Sequence, residues 1–230
     1  MRTRLAAASI LLVSMIATPF PVHAIEMNPR IARYMADRTA EFDEIPAQRR
    51  ELLANLAGYI RSERDAGRTA KLVFICTHNS RRSHMGQLWA AASGAYFGVD
   101  METFSGGTER TAFNPRAVAG LERAGFEIRE TAMGGDNPHY QVRYAANAPT
   151  IESFSKIYSE SPNPARDFCA IMTCSQADEA CPTVAGAAHR IALPYDDPKA
   201  ADDTPKESTA YDARCAQIAR EMLYAISLVR

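Results

Sequence analysis

The sequence predicts an α/β fold in which helices pack against a sheet of mainly parallel strands. From residue 71 onwards, short apolar runs typical of buried strands alternate with segments of helical periodicity. The 230 residues are 47% hydrophobic and 23% charged, which is typical of one medium-sized globular domain and excludes a disordered or collagen-like chain. With 26 Lys and Arg against 27 Asp and Glu, the chain has no basic excess, so we expect no nucleic-acid partner.

The first 24 residues have the features of a cleaved secretory signal peptide. Arg2 and Arg4 give a positive start, residues 5–17 form an apolar run, and Val22-His23-Ala24 ends in small residues suited to cleavage. The apolar run is shorter than the ~20 residues that a membrane-spanning helix needs, and an uncleaved anchor is the alternative. We therefore expect a periplasmic or secreted protein with no stable membrane association after cleavage.

Residues 25–70 are predicted to form a helical lead-in, and residues 71–230 the main domain. Asn28 with Pro29, and later Pro46, are typical of helix starts, and Gly67 is typical of a helix end. A polar, proline-containing stretch over about 134–164 is interpreted as an insertion or a hairpin. The main-domain strands are predicted at 72–75, 101–104, 126–128, 168–173 and 190–193, and its helices at 83–97, 114–125 and 211–226.

One strand runs directly into a loop that carries reactive chemistry. The strand 72–75 is followed by Cys76, five residues, Arg82 and Ser83, and then by a helix. Successive backbone amides and a helix N-terminus at such a turn favour bound negative charge, and the same field favours the thiolate form of Cys76. The planar fork of Arg82 can grip two oxygens of a tetrahedral anion.

The whole loop is predicted to bind an oxyanion substrate, with the alternative that Cys76 is a small hydrophobe ending a buried strand. Ser83 can hydrogen-bond the sulfur, and Asn79 can brace the loop. We expect no metal ion, because the cysteines lack paired two-residue spacings and the histidines are scattered. No cofactor is predicted either. The predicted oxyanion-binding residues are Thr77, His78, Asn79, Ser80, Arg81, Arg82 and Ser83.

The loop resembles that of the low-molecular-weight protein tyrosine phosphatase superfamily, and three further stretches resemble its thioredoxin-coupled arsenate reductase branch. The resemblance covers about residues 71–230, interrupted by the stretch 134–164. It implies a flavodoxin-like fold with a four-stranded parallel sheet and a catalytic domain over 71–230. The three stretches are Phe104-Ser105-Gly106-Gly107-Thr108-Glu109 with Asn114-Pro115-Arg116-Ala117-Val118, the segment 173–182 that contains both Cys174 and Cys181, and Tyr195-Asp196-Asp197-Pro198.

The resemblance also implies the roles of single residues. Cys76 would be the nucleophile, Arg82 would bind the oxyanion, and Asp197 would be the general acid that protonates the leaving oxygen. The alternative for Asp197 is an ordinary Asp-Pro turn. Three departures from the family are His78, where a Gly is usual, Arg81, where many reductases have Cys, and Gln87, where many members carry a Glu that helps to bind potassium.

Cys174 and Cys181 separate two chemistries. In a reductase, Cys174 would attack the Cys76 adduct, and Cys181 would then attack Cys174, which leaves a disulfide for a thioredoxin-like reductant. The alternative is a permanent structural disulfide, which an exported protein favours. Cys169 and Cys215 are interpreted as packed core thiols.

The predicted function is therefore a cysteine-dependent arsenate reductase. The alternative is a phosphatase that hydrolyses phosphomonoesters through a phosphocysteine, for which Cys76, Arg82 and Asp197 suffice. A third hypothesis is a non-enzymatic oxyanion-binding module with a redox disulfide.

Overall fold

The computed structural model describes residues 25–131, 135–181 and 183–230, so the predicted signal peptide lies outside the described residues. Within these ranges, no helix is both long enough and apolar enough to cross a membrane. The helices are α1 (Pro29–Thr39), α2 (Ala47–Asp65), α3 (Arg82–Phe97), α4 (Pro115–Ala124), α5 (Ser175–Ala180) and α6 (Glu207–Ser227). The strands are β1 (Ala70–Cys76), β2 (Met101–Gly107), β3 (Glu127–Glu130), β4 (Tyr140–Arg143), β5 (Ile151–Ser153), β6 (Phe168–Met172) and β7 (Ala187–Ala192).

The central sheet has four strands in the order β2-β1-β6-β7, and every neighbouring pair is parallel. This confirms the predicted fold class. The strand β1 lies inside the sheet, and its residues 72–76 are buried, as the continuous apolar run predicts. The register pairs Cys76 with Gly107 and Ile75 with Met172, so the carboxyl ends of β2, β1 and β6 meet at one edge. Ligands bind at such an edge in open α/β sheets.

Alternate residues of β1 face two separate apolar clusters. Leu72 and Phe74 belong to the larger cluster, which includes side chains of α1, α2, α3, α4 and α6. Val73 and Ile75 belong to a smaller cluster that includes residues of β6 and α5. The lead-in helices α1 and α2 therefore share the main core of the domain, and α6 contacts both of them.

One predicted strand belongs to a different sheet. The strand predicted at 126–128 is observed as β3, but it pairs antiparallel with β4, which pairs antiparallel with β5. The physical reason is its pattern of side chains: Glu127 and Glu130 are exposed, whereas a strand inside a parallel sheet must be apolar on both faces. The segment interpreted as an insertion or hairpin supplies β4 and β5.

Candidate active site

The predicted oxyanion loop joins the end of β1 to the start of α3. The carbonyl of Cys76 accepts a hydrogen bond from Thr108 N, that of Thr77 from Glu109 N, and that of Ser80 from Asn114 N. In a trans peptide the N–H and C=O groups point in opposite directions, so the amides that follow these carbonyls face the other side of the loop. The amides of Thr77, His78 and Arg81 therefore face away from these backbone contacts, which is the orientation that the predicted oxyanion loop needs.

Gly107 allows the neighbouring strand to approach this loop closely. A Cβ atom at this position would lie 2.7 Å from the Thr77 carbonyl oxygen and 2.8 Å from the Asn79 backbone nitrogen. Both are backbone atoms, so a side chain here would displace the loop itself. The Gly107 within the Phe104-to-Glu109 stretch therefore has a packing role in shaping the cradle.

Cys76, Ser83 and Asn79 form a buried hydrogen-bonded chain. The Cys76 sulfur lies 3.1 Å from Ser83 Oγ, and Asn79 Nδ2 donates to the same hydroxyl oxygen at 2.9 Å. Because the hydroxyl accepts from Asn79, its own proton is available for the sulfur. A donor aimed at the sulfur stabilises the thiolate, which is the nucleophilic form. Asn79 has a φ of +43°, a left-handed conformation that Asn tolerates better than most residues.

Arg82 links the loop to the predicted general acid. Its Nη1 donates to the Tyr195 carbonyl at 2.9 Å, and its Nη2 donates to Asp197 Oδ2 at 2.8 Å. Its Nε is buried and has no hydrogen-bond partner among the described residues, which leaves a donor for an anion. Asp197 is partly exposed, and its Oδ1 accepts from Lys199 N at the start of the short 3-10 helix Pro198–Ala201. The structure therefore brings Cys76, Arg82 and Asp197 to one edge of the sheet.

Cys174 lies beside the loop, at the N-terminus of α5. Its sulfur is 3.5 Å from Thr77 Oγ1 and accepts a hydrogen bond from Ala177 N at 3.4 Å. The pairing of β6 with β1 explains this position, because Thr173 N, directly after β6, donates to the Ile75 carbonyl near the end of β1. Cys174 is buried, and both it and Cys181 are free thiols.

Cys181 follows α5, so the two thiols lie at opposite ends of one short helix. Arg190, on β7, holds the far end: its Nη2 donates to the Asp178 carbonyl and carboxylate, and its Nε donates to the Cys181 carbonyl at 3.2 Å. Arg190 was not predicted as a site residue. The sequence contains no local signal for it, because the contact joins two different elements.

The remaining predicted loop residues differ in what their side chains do. His78 is half exposed and pairs with Glu109 at 3.3 Å. The Arg81 guanidinium does not point freely into the loop, because it is bound by Tyr211 and Asp202. Ser80 is buried, and its carbonyl is the acceptor for Asn114 N described above.

Cys169 and Cys215 are core thiols, as predicted. Both are buried, and burial raises the pKa of the Cys169 thiol and raises that of Cys215 to about 12. The indole Nε1 of Trp89 donates to the Cys215 sulfur at 3.2 Å. Across the described ranges, no group of three or more His, Cys, Asp or Glu side chains suits a metal ion.

The insertion braces the loop, which sequence reasoning missed. Ser155 Oγ donates to the His78 carbonyl at 2.9 Å, and Lys156 N donates to Asn79 Oδ1 at 2.9 Å. The Lys156 carbonyl accepts from Gly107 N at 2.8 Å. Burial lowers the pKa of the Lys156 ammonium to about 8. The lysine lies 77 residues from Asn79, so no local pattern could have predicted the contact.

Several sequence relatives of the chain are arsenate reductases. An arsenate reductase from Brevibacillus brevis is 28% identical over 127 residues, which are 55% of this chain and 75% of the relative. An arsenate reductase from Bacillus licheniformis is 27% identical over 143 residues, which are 62% of this chain and 84% of the relative. No protein-family model matches the chain. The solved structure of a thioredoxin-dependent arsenate reductase from Corynebacterium glutamicum is 18% identical, with a TM-score of 0.41 and coverage of 86% of each chain.

Proposed function

Since the chain belongs to the arsenate reductase branch of the low-molecular-weight protein tyrosine phosphatase superfamily, we propose that it is a cysteine-dependent enzyme that reduces arsenate to arsenite. The observation that carries this proposal is the contact of the second thiol with the first thiol's loop: the Cys174 sulfur lies 3.5 Å from Thr77 Oγ1. A phosphatase needs no such thiol.

The first step is an attack by the Cys76 thiolate on arsenic. The loop amides and Arg82 hold the oxygens of arsenate, and the anion replaces the Asp197 carboxylate as a partner of the guanidinium. Asp197, once protonated, gives its proton to the leaving hydroxyl group, which departs as water. The product is an arsenic(V) adduct on the Cys76 sulfur.

The next steps pass two electrons to arsenic. Cys174 attacks the Cys76 sulfur, and the electron pair of the sulfur–arsenic bond stays with arsenic, which leaves as arsenite. Cys181 then attacks the Cys174 sulfur and releases the Cys76 thiolate. The oxidised enzyme carries a Cys174–Cys181 disulfide, which a thioredoxin-like dithiol protein reduces.

The test is arsenate turnover by pre-reduced protein with a thioredoxin recycling system, on wild type and on Cys76→Ser, Cys174→Ser and Cys181→Ser. We expect Cys76→Ser and Cys174→Ser to form no arsenite, and Cys181→Ser to complete one turnover and stop as a Cys76–Cys174 disulfide. Cys215→Ala is the matched control, because this thiol lies in the core, and it should keep wild-type turnover. A wild-type protein that forms no arsenite would contradict the proposal.

A phosphatase is the second candidate. It is favoured because Cys76 contacts Ser83 and Arg82 contacts Asp197, and neither contact involves Cys174 or Cys181. The same surface would hold a phosphate monoester, and water would hydrolyse a phosphocysteine. Whether the enzyme is a reductase or a phosphatase, we expect it to hydrolyse para-nitrophenyl phosphate. This activity should persist in Cys174→Ser and be lost in Cys76→Ser. Such hydrolysis without any arsenite formation would favour the phosphatase.

We further propose that residues 1–24 direct export and are removed. The supporting observations are the two arginines, the short apolar run and the small residues before position 25. N-terminal sequencing of protein recovered from periplasmic and cytoplasmic fractions tests this, with residue 25 expected as the first residue of the periplasmic form. In that compartment the reductant would have to be a dithiol protein that is itself kept reduced.

A further inference from the structure

We propose that Tyr211 and Asp202 are positioning residues that hold the general-acid loop over the oxyanion loop by binding Arg81. This inference rests on the proposed function, because it assigns a role within the same reaction. It also gives Arg81, whose guanidinium is bound by Tyr211 and Asp202, a part in catalysis that acts through Asp197.

Three side chains from distant parts of the chain form a closed ring of hydrogen bonds. Arg81 Nε donates to the Tyr211 hydroxyl at 2.7 Å, and that hydroxyl donates to Asp202 Oδ1 at 2.8 Å. Arg81 Nη2 donates to Asp202 Oδ2 at 3.2 Å. The Tyr211 hydroxyl thus accepts from one partner and donates to the other, which fixes its orientation.

The ring is largely shielded from water. Tyr211 is fully buried, and the side chains of Arg81 and Asp202 are 11% and 15% exposed. Hydrogen bonds to charged groups are stronger in such surroundings than at the surface. Breaking one of these hydrogen bonds would leave a shielded charged group without its partner, which is strongly destabilising. We therefore expect the three side chains to keep this arrangement.

The ring reaches the general acid through one turn of helix. Asp197 caps the N-terminus of the 3-10 helix Pro198–Ala201, and Asp202 follows its last residue. Because the helix is only four residues long, fixing Asp202 also fixes the end that carries Asp197. The Arg81 Nε lies 4.0 Å from Asp197 Oδ1, so the same guanidinium faces both ends of the helix.

The neighbouring charges also favour a holding role. Arg116 approaches Asp202 at 3.9 Å, and it makes shorter ion pairs with Asp203 and Glu207. The segment after the 3-10 helix is therefore tied to α4 as well as to Arg81. Arg81 directly precedes Arg82, so a shift of the ring would move the general acid relative to the anion-binding guanidinium.

The test uses Tyr211→Phe, which removes one hydroxyl oxygen and keeps the ring of the side chain in the core. Tyr224→Phe is the matched control, since it makes the same change on the same helix α6 away from the loop. Two esters are compared: para-nitrophenyl phosphate, whose leaving group departs readily without a proton, and phenyl phosphate, whose leaving group needs one. Asp197→Asn gives the pattern for complete loss of the acid.

We expect Tyr211→Phe to lower kcat/KM for phenyl phosphate about tenfold and that for para-nitrophenyl phosphate about two- to threefold, a smaller version of the Asp197→Asn pattern. The rate of Cys76 alkylation by iodoacetamide should stay unchanged, because the sulfur and Ser83 are not touched. Asp202→Asn is a second variant, which should give the same dependence on the leaving group. A structural defect alone would lower kcat/KM for both esters by the same factor and would also change the rate of Cys76 alkylation.

Each other outcome counts against a defined claim. Equal losses on the two esters, or wild-type kinetics in both variants, would overturn the positioning role while leaving the proposed function intact. A wild-type protein that hydrolyses neither ester and reduces no arsenate would overturn the proposed function and this inference together.

Discussion

Removal of the Arg190 side chain should change the reduction potential of the Cys174–Cys181 couple that we propose. In the reduced protein, α5 separates these cysteines by seven residues. Seven residues of helix rise about 10 Å, whereas a disulfide needs Cα atoms about 5.5–6 Å apart. The helix must therefore unwind when the disulfide forms, and the bonds from Arg190 to Asp178 and Cys181 must break.

The magnitude follows from what Arg190 holds. It donates to two carbonyls and to one carboxylate, and its side chain is 27% exposed, so these bonds are partly screened. Together they are expected to stabilise the reduced form by about 2–3 kcal/mol. Since 30 mV corresponds to about 1.4 kcal/mol for a two-electron couple, Arg190→Met should make the potential about 40–65 mV more negative.

The assay equilibrates the protein with dithiothreitol buffers of known potential, traps free thiols with a maleimide, and counts them by mass. A Cys76→Ser background keeps the nucleophile from exchanging with the pair. Arg129→Met is the control, because Arg129 lies on β3 in the other sheet. The reduction potential of this variant should match that of the Cys76→Ser parent. A potential for Arg190→Met that is unchanged, or less negative, would refute the argument that Arg190 stabilises the reduced form.

Three other changes test the loop and its supports. Ser83→Ala should slow the alkylation of Cys76 about tenfold at neutral pH, since a hydrogen bond to a charged group contributes about 1.5 kcal/mol. Gly107→Ala should lower both activity and the free energy of unfolding, the latter by about 1–3 kcal/mol in urea titrations, because its Cβ would meet the Thr77 carbonyl. For Lys156, burial lowers the pKa from 10.5 to about 8, so the cost of burying the charge is fully present below pH 8 and disappears as the pH rises towards 10.5. Lys156→Met should therefore be more stable than wild type by up to about 3 kcal/mol at pH 7, and the difference should narrow above pH 8.

The control for Gly107→Ala makes the same substitution at a glycine with open space around it. Gly58→Ala adds a Cβ that meets nothing within 4 Å on α2, and it should raise stability by up to about 1 kcal/mol. If Ser83→Ala alkylates at the wild-type rate, the hydrogen bond from Ser83 does not stabilise the Cys76 thiolate. An unaltered unfolding curve for Gly107→Ala, or a difference for Lys156→Met that does not depend on pH, would contradict the packing and burial arguments.

The sequence was most informative where the signal is local. The apolar run of β1 and the spacing from Cys76 to Arg82 lie within a few residues, and the structure has the strand, loop and helix in that order. Local periodicity also predicted the closing helix and its buried face. It failed for β3, because a short strand gives no indication of which partner it pairs with.

The supports of the site could not be predicted because they join distant residues. Arg81 and Tyr211 are 130 residues apart, and Tyr211 has the spacing of an ordinary core residue of α6. Lys156 lies in a polar stretch whose composition is typical of an exposed loop, yet it is buried. In both cases the three-dimensional packing of the backbone determines the role, and residue type alone does not.

The position of α6 has a consequence for how the chain reaches its native state. This helix, over residues 207–227, packs against α1, α2, α3 and α4. These four helices therefore lack part of their hydrophobic core until α6 is present. Contacts between such distant segments slow folding, because a long loop must close before they form. Ribosome-bound chains that lack these residues should therefore stay open until α6 has been synthesised.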